Sequence, residues 1–470
     1  MSQSNGFDLA IVGAGPGGYT AAIRAAQLGA SVALIEKEGL GGTCLQWGCI
    51  PTKKMAKTAE LLENMQEAER FALETEDPRV DLPGLMAQKD DVVKTLQEGV
   101  TSLLDGHGVV RYQGEAHIEE DGSVAVEADE GESFPVKSER VLLAVGSKPA
   151  MPPIPGTDLE GILTSRDLLT IDELPESLLI IGGGVIGMEF ASIFNSFGTQ
   201  VTVLEMLPKI LPPIDDELAR RLGPLLRRKG ITSVTGATVT KIEGDVPREK
   251  RITYEHRGRE KSIQVERVLL ATGRVPNTKD IPLDALGIEH ENGAICVNEQ
   301  MVTTNPRFLA VGDAVGRMML AHVASAEALV AVENLFGSGR PPLNYHAVPS
   351  AVFTLPPVAS VGQTEVQAKE DHEHVATAKF PFAALGKAVA VDQTDGLVKI
   401  IYDEEDGKIL GLHILGAEAP ELIHEGALAI QHGLSLSQLG HTVHAHPTFS
   451  EAIMEAAHMG LGGPIHVMPR

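Results

Sequence analysis

Two cysteines separated by four residues are the side chains in this sequence best suited to redox chemistry. Cys44 and Cys49 stand in the segment GGTCLQWGCIPTK. On a regular helix they would lie about 7.5 Å apart along the axis and on different faces, so a bond between them requires a distorted turn, which Gly48 permits. The pair alone is compatible with a reactive dithiol, a static disulfide or two buried thiols. A metal site is a weaker alternative, because no second cysteine pair completes four zinc ligands.

A glycine fingerprint that occurs twice indicates that the cysteines serve nucleotide chemistry. In GAGPGG and GGGVIG the glycines allow a tight turn, close approach of a pyrophosphate and close packing of a helix whose N-terminus faces the phosphates. A single fingerprint could be an ordinary glycine turn. Here five positions repeat at a constant offset of 169 residues: Gly13, Gly15, Gly18, Gly29 and Glu36 correspond to Gly182, Gly184, Gly187, Gly198 and Glu205.

The glutamate that ends each copy predicts the kind of nucleotide. Glu36 and Glu205 each follow the second apolar strand of their copy. A carboxylate at this place binds a pair of ribose hydroxyls and repels a 2′-phosphate. Both nucleotides should therefore lack that phosphate, which indicates FAD and NAD.

The elements that position these residues predict an α/β fold. Each copy reads as strand, glycine turn, helix and strand, and two further apolar runs, VLLAVGSKP and VLLATGRVP, would close the two units. After Pro341, short alternating strands precede two helices, which predicts an α+β domain. Composition divides the chain into residues 1–150, 151–276, 277–340 and 341–470.

Length and charge limit the partners. A chain of 470 residues with 43% hydrophobic content is long enough for two to four domains. The formal charge of −25 repels phosphate backbones and anionic lipid, so we expect neither nucleic acid nor a membrane as partner. The first strand begins almost at the N-terminus, which predicts a cytoplasmic protein or one already processed.

Several residues receive no catalytic role from the sequence. Cys296, in a predicted strand, is interpreted as a small core residue. His441 and His444 are interpreted as ordinary surface or packing histidines. Trp47, the only tryptophan, either packs the cysteine helix or touches flavin or substrate.

Taken in order, the motifs resemble those of the pyridine nucleotide-disulfide oxidoreductases. The resemblance rests on both fingerprints and on GGTCLQWGCIPTK, LLATGRVPN, AVGDAVG, VGQTE, GLHILG and HAHPTFSE, and it covers essentially the whole chain. It implies two Rossmann-like domains, an FAD domain with a redox disulfide (1–150) and an NAD domain (151–276). A central domain (277–340) would complete the FAD site, and a C-terminal α+β domain (341–470) would form a homodimer.

The resemblance also implies roles for single residues. Cys44 would exchange with substrate, and Cys49 would face the flavin. His446 and Glu451 resemble an acid/base histidine and its orienting carboxylate, placed across the dimer interface from the disulfide. The other implied cofactor residues are Lys53 (near flavin N5), Gly146, Asp313 (ribityl) and Ala321 for FAD, and Glu189 (pairing with Lys53) and Gly273 on the NAD side.

Within the family, GCIPTK and HAHPTFSE are most similar to members that oxidise protein-bound dihydrolipoyl groups with NAD. This implies a lipoyl-bearing acyltransferase, or the lipoyl protein of a glycine-cleavage system, as partner. The alternatives are an NAD(P)H-dependent reductase of another disulfide and a non-catalytic flavoprotein subunit. Gln46 and Pro357 depart from the family's usual asparagine and glutamate.

Overall fold

The computed structural model describes residues 6–128, 131–246 and 249–468, without the side chains of residues 245 and 246. The chain forms two compact units, each assembled from three segments. The first unit comprises Met1–Lys54, Pro83–Ala150 and Gly273–Leu343, and the second comprises Met55–Leu82, Met151–Thr272 and Asn344–Arg470. The division into four domains stays a prediction.

Within the described ranges, the strands belong to seven sheets. In chain order they are β1 (Phe7–Val12), β2 (Val32–Glu36), β3 (Val110–Gln113), β4 (Glu115–Ile118), β5 (Val124–Glu127), β6 (Ser133–Val136), β7 (Ser138–Leu143), β8 (Ser147–Pro149), β9 (Ile162–Leu163), β10 (Ser177–Ile181), β11 (Gln200–Glu205), β12 (Thr232–Thr235), β13 (Ala237–Val246), β14 (Glu249–His256), β15 (Arg259–Val265), β16 (Arg267–Leu270), β17 (Arg274–Pro276), β18 (His290–Glu291), β19 (Ala294–Ile295), β20 (Phe308–Ala310), β21 (Ser350–Val352), β22 (Val358–Gly362), β23 (Val375–Pro381), β24 (Leu397–Asp403) and β25 (Ile409–Leu415).

The helices differ widely in length. They are α1 (Pro16–Gln27), α2 (Gly42–Trp47), α3 (Cys49–Gln66), α4 (Leu82–Gly106), α5 (Ser165–Leu168), α6 (Val185–Ser196), α7 (Asp216–Arg228), α8 (Ala321–Phe336), α9 (Glu365–Asp371), α10 (Gly386–Ala390), α11 (Ala419–Gln431), α12 (Leu436–His441) and α13 (Glu451–Gly460), with short 3-10 turns at Ala68–Phe71, Gly312–Val315, Tyr345–Ala347 and Phe382–Ala384. In the part of the chain that the structure describes, no helix combines the length and apolarity needed to cross a membrane.

A five-stranded parallel sheet in the order β20-β7-β1-β2-β3 forms the centre of the first unit. Successive side chains of β1 point to opposite faces. Leu9 and Ile11 join the core cluster that also holds α1 and α8, whereas Ala10 and Val12 join the cluster on the other face. Because both faces are buried, β1 is an apolar run without alternation, as parallel strands commonly are.

The second unit repeats this arrangement in a parallel sheet of order β12-β11-β10-β16-β9. Helices α1 and α6 begin at Pro16 and Val185, which keeps the offset of 169 residues. The two closing runs become β7 and β16, which pair with β1 and β10. The predicted internal repeat and α/β class are confirmed.

The C-terminal part of the second unit contains an antiparallel sheet in the order β21-β22-β25-β24-β23. Helices α11 and α13 pack against it around a core that includes Phe382 and Phe449, whose ring centroids are 5.4 Å apart. The predicted α+β character of this region is confirmed.

The interpretation of Cys296 as a core residue is wrong. Strand β19 has only two residues and ends at Ile295, which is buried. Cys296 follows it and is exposed, because successive residues of an extended chain point to opposite sides. The apolar run AICV therefore contributes its isoleucine and, partly buried, Val297 to the core, but not Cys296.

A buried lysine in the second unit is held by carboxylates from distant parts of the sequence. The Lys399 side chain is 1% exposed, and its Nζ lies 2.8 Å from Asp215 Oδ1 and 2.6 Å from Glu365 Oε2. Asp215 also caps α7 by accepting the Glu217 N–H. Although burial opposes it, the Lys399 hydrogen bond and the Glu365 N–H lower the pKa of Asp215. Hydrogen bonds from Lys369 and Lys399 lower the pKa of Glu365 to about 2.

Replacing this lysine should destabilise the second unit strongly. Lys399→Met leaves Asp215 and Glu365 without their buried cation, so we expect the free energy of unfolding to fall by about 3–5 kcal/mol. Lys369→Met removes an exposed cation from the same Glu365 and should cost less than about 1 kcal/mol. Urea unfolding of both variants measures the difference, and equal losses would contradict the assignment.

The same carboxylates make the contribution of Lys399 depend on pH. The pKa of Glu365 is 4.5 in the unfolded chain and about 2 in the folded chain. The lowered pKa therefore stabilises the fold at pH values above 4.5, and this stabilisation is lost as the pH falls towards about 2. Between pH 4.5 and about 2, the free energy of unfolding should therefore fall more in wild type than in Lys399→Met.

Candidate functional site

Gly48 interrupts the helix that carries the two cysteines. Helix α2 ends at Trp47 and α3 begins at Cys49, with Gly48 between them at φ −139° and ψ −110°. A Cβ added to Gly48 would lie 2.7 Å from the Thr43 carbonyl oxygen, so this close approach depends on glycine. Cys44 and Cys49 are half-buried free thiols whose side chains hydrogen-bond to each other.

The surroundings of Cys44 favour its protonated form. The hydrogen bond to Cys49, burial and the electrostatic interaction with Cys49 together raise the pKa of Cys44, and the backbone N–H of Cys49 and the charge of Lys53 oppose them only partly. Cys44 therefore keeps its proton in the reduced pair. Lys53 lies one turn beyond Cys49 on α3. Burial raises the pKa of Tyr19, and its interaction with Cys44 adds to this effect; sequence reasoning did not identify this neighbour.

Direct backbone contacts tie the cysteine segment to the first glycine fingerprint. The Gly41 N–H donates to the Ala14 carbonyl at 2.8 Å. Gln46, a departure from the family pattern, donates from Nε2 to the Gly39 carbonyl and so fixes α2 to the loop after β2.

Trp47 is half-buried at the end of α2. The other departure, Pro357, accepts the Gly416 N–H at 2.9 Å in the second unit.

The first fingerprint has the geometry of a phosphate site. A Cβ on Gly18 would stand 1.8 Å from the Gly13 carbonyl oxygen, so only glycine allows α1 to approach the turn this closely. Gly15 is the N-cap of α1, and a Cβ there would meet only Gly42, 3.9 Å away. Among the described residues, no side chain caps α1 and its first turn holds no acid. Its N-terminal N–H groups therefore suit a phosphate.

The second fingerprint has the same features. A Cβ on Gly187 would lie 2.1 Å from the Gly182 carbonyl oxygen, and a Cβ on Gly184, the N-cap of α6, would meet no described atom within 4 Å. Glu189, on α6, is buried and accepts the Phe353 N–H at 3.0 Å. Its predicted pairing with Lys53 stays a prediction.

Backbone N–H groups orient both terminal glutamates in the same way. Glu36 accepts the N–H groups of Ala14 (2.7 Å) and Glu38 (2.8 Å). In the second copy, the carboxylate of Glu205 accepts the N–H groups of Gly183 (2.6 Å) and Leu207 (2.7 Å). Each carboxylate is thereby fixed beside its glycine turn, where a ribose would lie.

Asp313, which lies in the turn Gly312–Val315, forms a hydrogen-bond network with Ser147 and Arg274. Ser147 Oγ donates to the Asp313 carboxylate, and Arg274 donates from Nε to Ser147 Oγ and from Nη2 to its carbonyl, both at 2.7 Å. Burial lowers the pKa of Arg274, and the charges of Asp313 and Cys49 oppose that change. Sequence reasoning missed Ser147 and Arg274, although they occupy equivalent positions in the two closing runs.

The remaining predicted cofactor residues stand at turns of the first unit. Gly146 has φ +67° and accepts the Asn277 N–H, and Gly273 has φ +115° and accepts the Ala150 N–H, both at 2.9 Å. Ala321 is the first residue of α8. Gly273, predicted to bind NAD, thus belongs to a different unit from Gly182, Gly184, Gly187, Glu189 and Glu205.

His446 and Glu451 form a histidine–carboxylate pair in the second unit. His446 Nδ1 lies 2.8 Å from Glu451 Oε1, and Glu451 Oε2 accepts the Thr448 N–H at 2.9 Å. Although burial opposes it, the Thr448 N–H and His446 lower the pKa of Glu451. The carboxylate is therefore kept charged, and because it binds Nδ1, the other ring nitrogen of the exposed His446 is available for proton exchange.

The predicted residues thus fall into two groups. The first unit contains the cysteine pair and the residues predicted to bind FAD, which are Gly13, Gly15, Gly18, Glu36, Lys53, Gly146, Asp313 and Ala321. The second unit contains the other fingerprint and the His446–Glu451 pair. Glycine turns, uncapped helix N-termini and fixed carboxylates fit two dinucleotides.

Comparison with known proteins agrees with this geometry. The chain is 40% identical to the dihydrolipoyl dehydrogenase of Bacillus subtilis (strain 168), with 98% of this chain and 99% of the relative covered. It is 39% identical to the dihydrolipoyl dehydrogenase of Halobacterium salinarum, with 99% of both chains covered. Among solved structures it resembles the Cu(II) complex of RclA, an HOCl-induced flavoprotein disulfide reductase from Escherichia coli, with a TM-score of 0.87, 30% identity and 97% and 99% of the two chains covered.

Two family matches cover most of the sequence. Residues 348–457 match the dimerisation domain of the pyridine nucleotide-disulphide oxidoreductases, and residues 7–328 match the family itself. The glycine fingerprints, the cysteine pair and the relatives all indicate the same family. The chain belongs to the pyridine nucleotide-disulphide oxidoreductase family.

Proposed function

We propose that this chain is a dihydrolipoyl dehydrogenase, which oxidises protein-bound dihydrolipoyl groups and reduces NAD+ with the help of FAD. The observation that carries the proposal is the hydrogen-bonded pair Cys44–Cys49, fixed by the Gly41–Ala14 contact to the first nucleotide fingerprint. The relatives of about 40% identity that carry this name support the choice of substrate.

The two cysteines would exchange a disulfide with the substrate. A substrate thiolate attacks the Cys44 sulfur of the oxidised pair, the Cys44–Cys49 bond breaks, and Cys49 leaves as a thiolate. The second substrate thiol then attacks its own neighbour in the mixed disulfide, which closes the lipoyl ring and releases Cys44. The free thiols of this structure correspond to the reduced pair, in which Cys44 keeps its proton.

His446 would take the proton that the attacking thiol must lose. Glu451 holds its Nδ1, so the exchanging nitrogen is Nε2. The fingerprint around Gly13, together with Glu36 and Asp313, would hold FAD, and the fingerprint around Gly182, with Glu205, would hold NAD. Bound FAD would pass the electron pair from the reduced cysteines to NAD+, so the sum is dithiol plus NAD+ giving disulfide, NADH and a proton.

The proposal includes two protein partners and a compartment. The match to a dimerisation domain supports a homodimer, which would bring His446 of one chain to the cysteines of the other. The second partner is a lipoyl-bearing acyltransferase or the lipoyl protein of a glycine-cleavage system, in the cytoplasm. The similarity to RclA favours one alternative, reduction of a different disulfide.

Substrate assays with one cysteine variant test the proposal. The yellow protein should reduce NAD+ with dihydrolipoamide, and a long-wavelength absorption band should report a thiolate beside the flavin. Cys44→Ser should abolish this turnover and still pass electrons from NADH to ferricyanide, which needs no thiol exchange. Cys296→Ser, at the exposed cysteine, is the matched control. Full dihydrolipoamide activity in Cys44→Ser would refute the mechanism, and reduction of another disulfide alone would favour the RclA-like alternative.

Glu205 should set the preference for NAD+ over NADP+. Glu205→Gln removes the charge that binds the ribose hydroxyls and repels a 2′-phosphate. We therefore expect KM for NAD+ to rise roughly tenfold or more, and the ratio of kcat/KM for NAD+ to that for NADP+ to fall. Steady-state kinetics with both nucleotides measure this, with the exposed Glu249→Gln as control. An unchanged preference would exclude Glu205 as the discriminating residue.

Loss of the proposed base should affect only the dithiol reaction. His446→Gln is expected to lower kcat with dihydrolipoamide by roughly 10² to 10⁴, the usual contribution of a general base. The ferricyanide reaction should stay within twofold of wild type, as should both reactions of His441→Gln. Equal loss of both reactions in His446→Gln would indicate damage to the fold instead.

A further inference from the structure

A second histidine–carboxylate pair lies on the loop that carries His446. This loop joins α12 to α13. His444 Nε2 lies 2.7 Å from Glu425 Oε1 on α11, and His444 Nδ1 lies 2.8 Å from the Thr442 carbonyl oxygen. The side chain of His444 is 6% exposed, whereas that of His446 is 77% exposed. The two histidines therefore have different surroundings although one residue separates them.

Both contacts of the His444 ring end on hydrogen-bond acceptors. A neutral imidazole has a single N–H and can donate to only one of them, whereas an imidazolium donates to both. The hydrogen bond to Glu425 raises the pKa of His444, and the Thr442 carbonyl and the charge of Glu451 add to it against the effect of burial. The two acceptors and the raised pKa therefore both favour a protonated His444, which connects the loop to α11.

We infer that His444 is a positioning residue, which fixes the loop carrying His446 by hydrogen-bonding to Thr442 and Glu425 at the same time. The inference rests on the proposed role of His446 and extends it, because it names what holds that exposed ring in place. His446 is itself anchored by the Glu451 contact. Next to it, Thr448 Oγ1 lies 2.7 Å from the Ala445 carbonyl oxygen and 2.8 Å from Ser450 Oγ.

The charge of His444 also acts on the carboxylate that orients His446. The charged groups that face His444 are Glu425 from α11 and Glu451 from α13, and the other titratable groups nearby in the sequence are His441 and His446. The charge of His444 is one of the causes that lower the pKa of Glu451. A protonated His444 therefore helps to keep Glu451 ionised and bonded to Nδ1 of His446.

A double-mutant cycle separates positioning from an independent role. His444→Gln and Glu425→Gln should each lower kcat with dihydrolipoamide about tenfold, since small misplacements of a catalytic group are costly, and should leave the ferricyanide reaction within twofold of wild type. In the background of His446→Gln, the change His444→Gln should have no further effect. An additive loss in the double variant would overturn the inference, as would wild-type kcat in His444→Gln. His441→Gln is the matched control.

The pH profile gives a readout that a purely structural role would not move. Because the pKa of His444 is raised in the folded chain, the ring donates both hydrogen bonds at low pH, and one of them is lost as the pH rises through that folded value. The alkaline fall in kcat that follows this loss should be absent in His444→Lys, which keeps a charge. The same alkaline profile in His444→Lys would contradict the inference.

Hydrogen exchange tests the positioning without any substrate. The amides of Ala445, His446 and Thr448 should exchange at least about tenfold faster in His444→Gln than in wild type or His441→Gln, because one anchor of the loop is gone. Unchanged exchange would refute the inference even if the protein had no activity with dihydrolipoamide. Faster exchange without dihydrolipoamide turnover by wild type would count only against the proposed substrate.

Discussion

In both nucleotide-binding copies, the distance between the glycine turn and the following helix is too short for any side chain. A Cβ on Gly18 or Gly187 would stand about 2 Å from a carbonyl oxygen of the turn. This approach places an uncapped helix N-terminus beside the end of the first strand, where the terminal glutamate binds the turn's own N–H. In the first unit Ala14 also accepts the Gly41 N–H. The turn that suits a pyrophosphate therefore also fixes the start of the cysteine segment.

The charge around the cysteine pair differs from that of the whole chain. The chain carries a formal charge of −25, yet the cationic groups that interact with the two sulfurs are Lys53 on Cys44 and Arg274 on Cys49. Cations beside a thiolate stabilise it and favour thiol exchange. An acidic protein can thus contain a locally cationic dithiol site, because partly buried charges interact more strongly than distant, screened surface charges.

What the sequence predicted well depended on short-range spacing. In each copy the glycines and the terminal glutamate lie within about 40 residues of one another, as does the Cys44–Cys49 pair in the first copy, and their arrangement follows from local geometry. Other features depend on contacts between distant segments. Lys399 meets Asp215 across 184 positions of sequence, and Ser147 meets Arg274 across 127. No local pattern identifies such partners.

Burial of single residues was equally hard to predict. Cys296 stands in an apolar run, but its strand ends one residue earlier and leaves the thiol exposed. His444 and His446 share one short motif, yet α11 supplies a carboxylate to the first only. In each case a neighbouring element, and not the residue type, decides the environment.

The two units are interleaved along the chain, so the last strand of the first sheet is synthesised after the second parallel sheet is complete. Strand β7 ends at Leu143, but its neighbour β20 begins only at Phe308, and the second parallel sheet is complete by Leu270. On the ribosome, β7 therefore forms an edge of the N-terminal sheet until the later strand β20 pairs with it. Open edges invite pairing with other chains, and multidomain proteins are most exposed to misassembly during such intervals. Slow translation between these two points would prolong the period in which the nascent chain can aggregate.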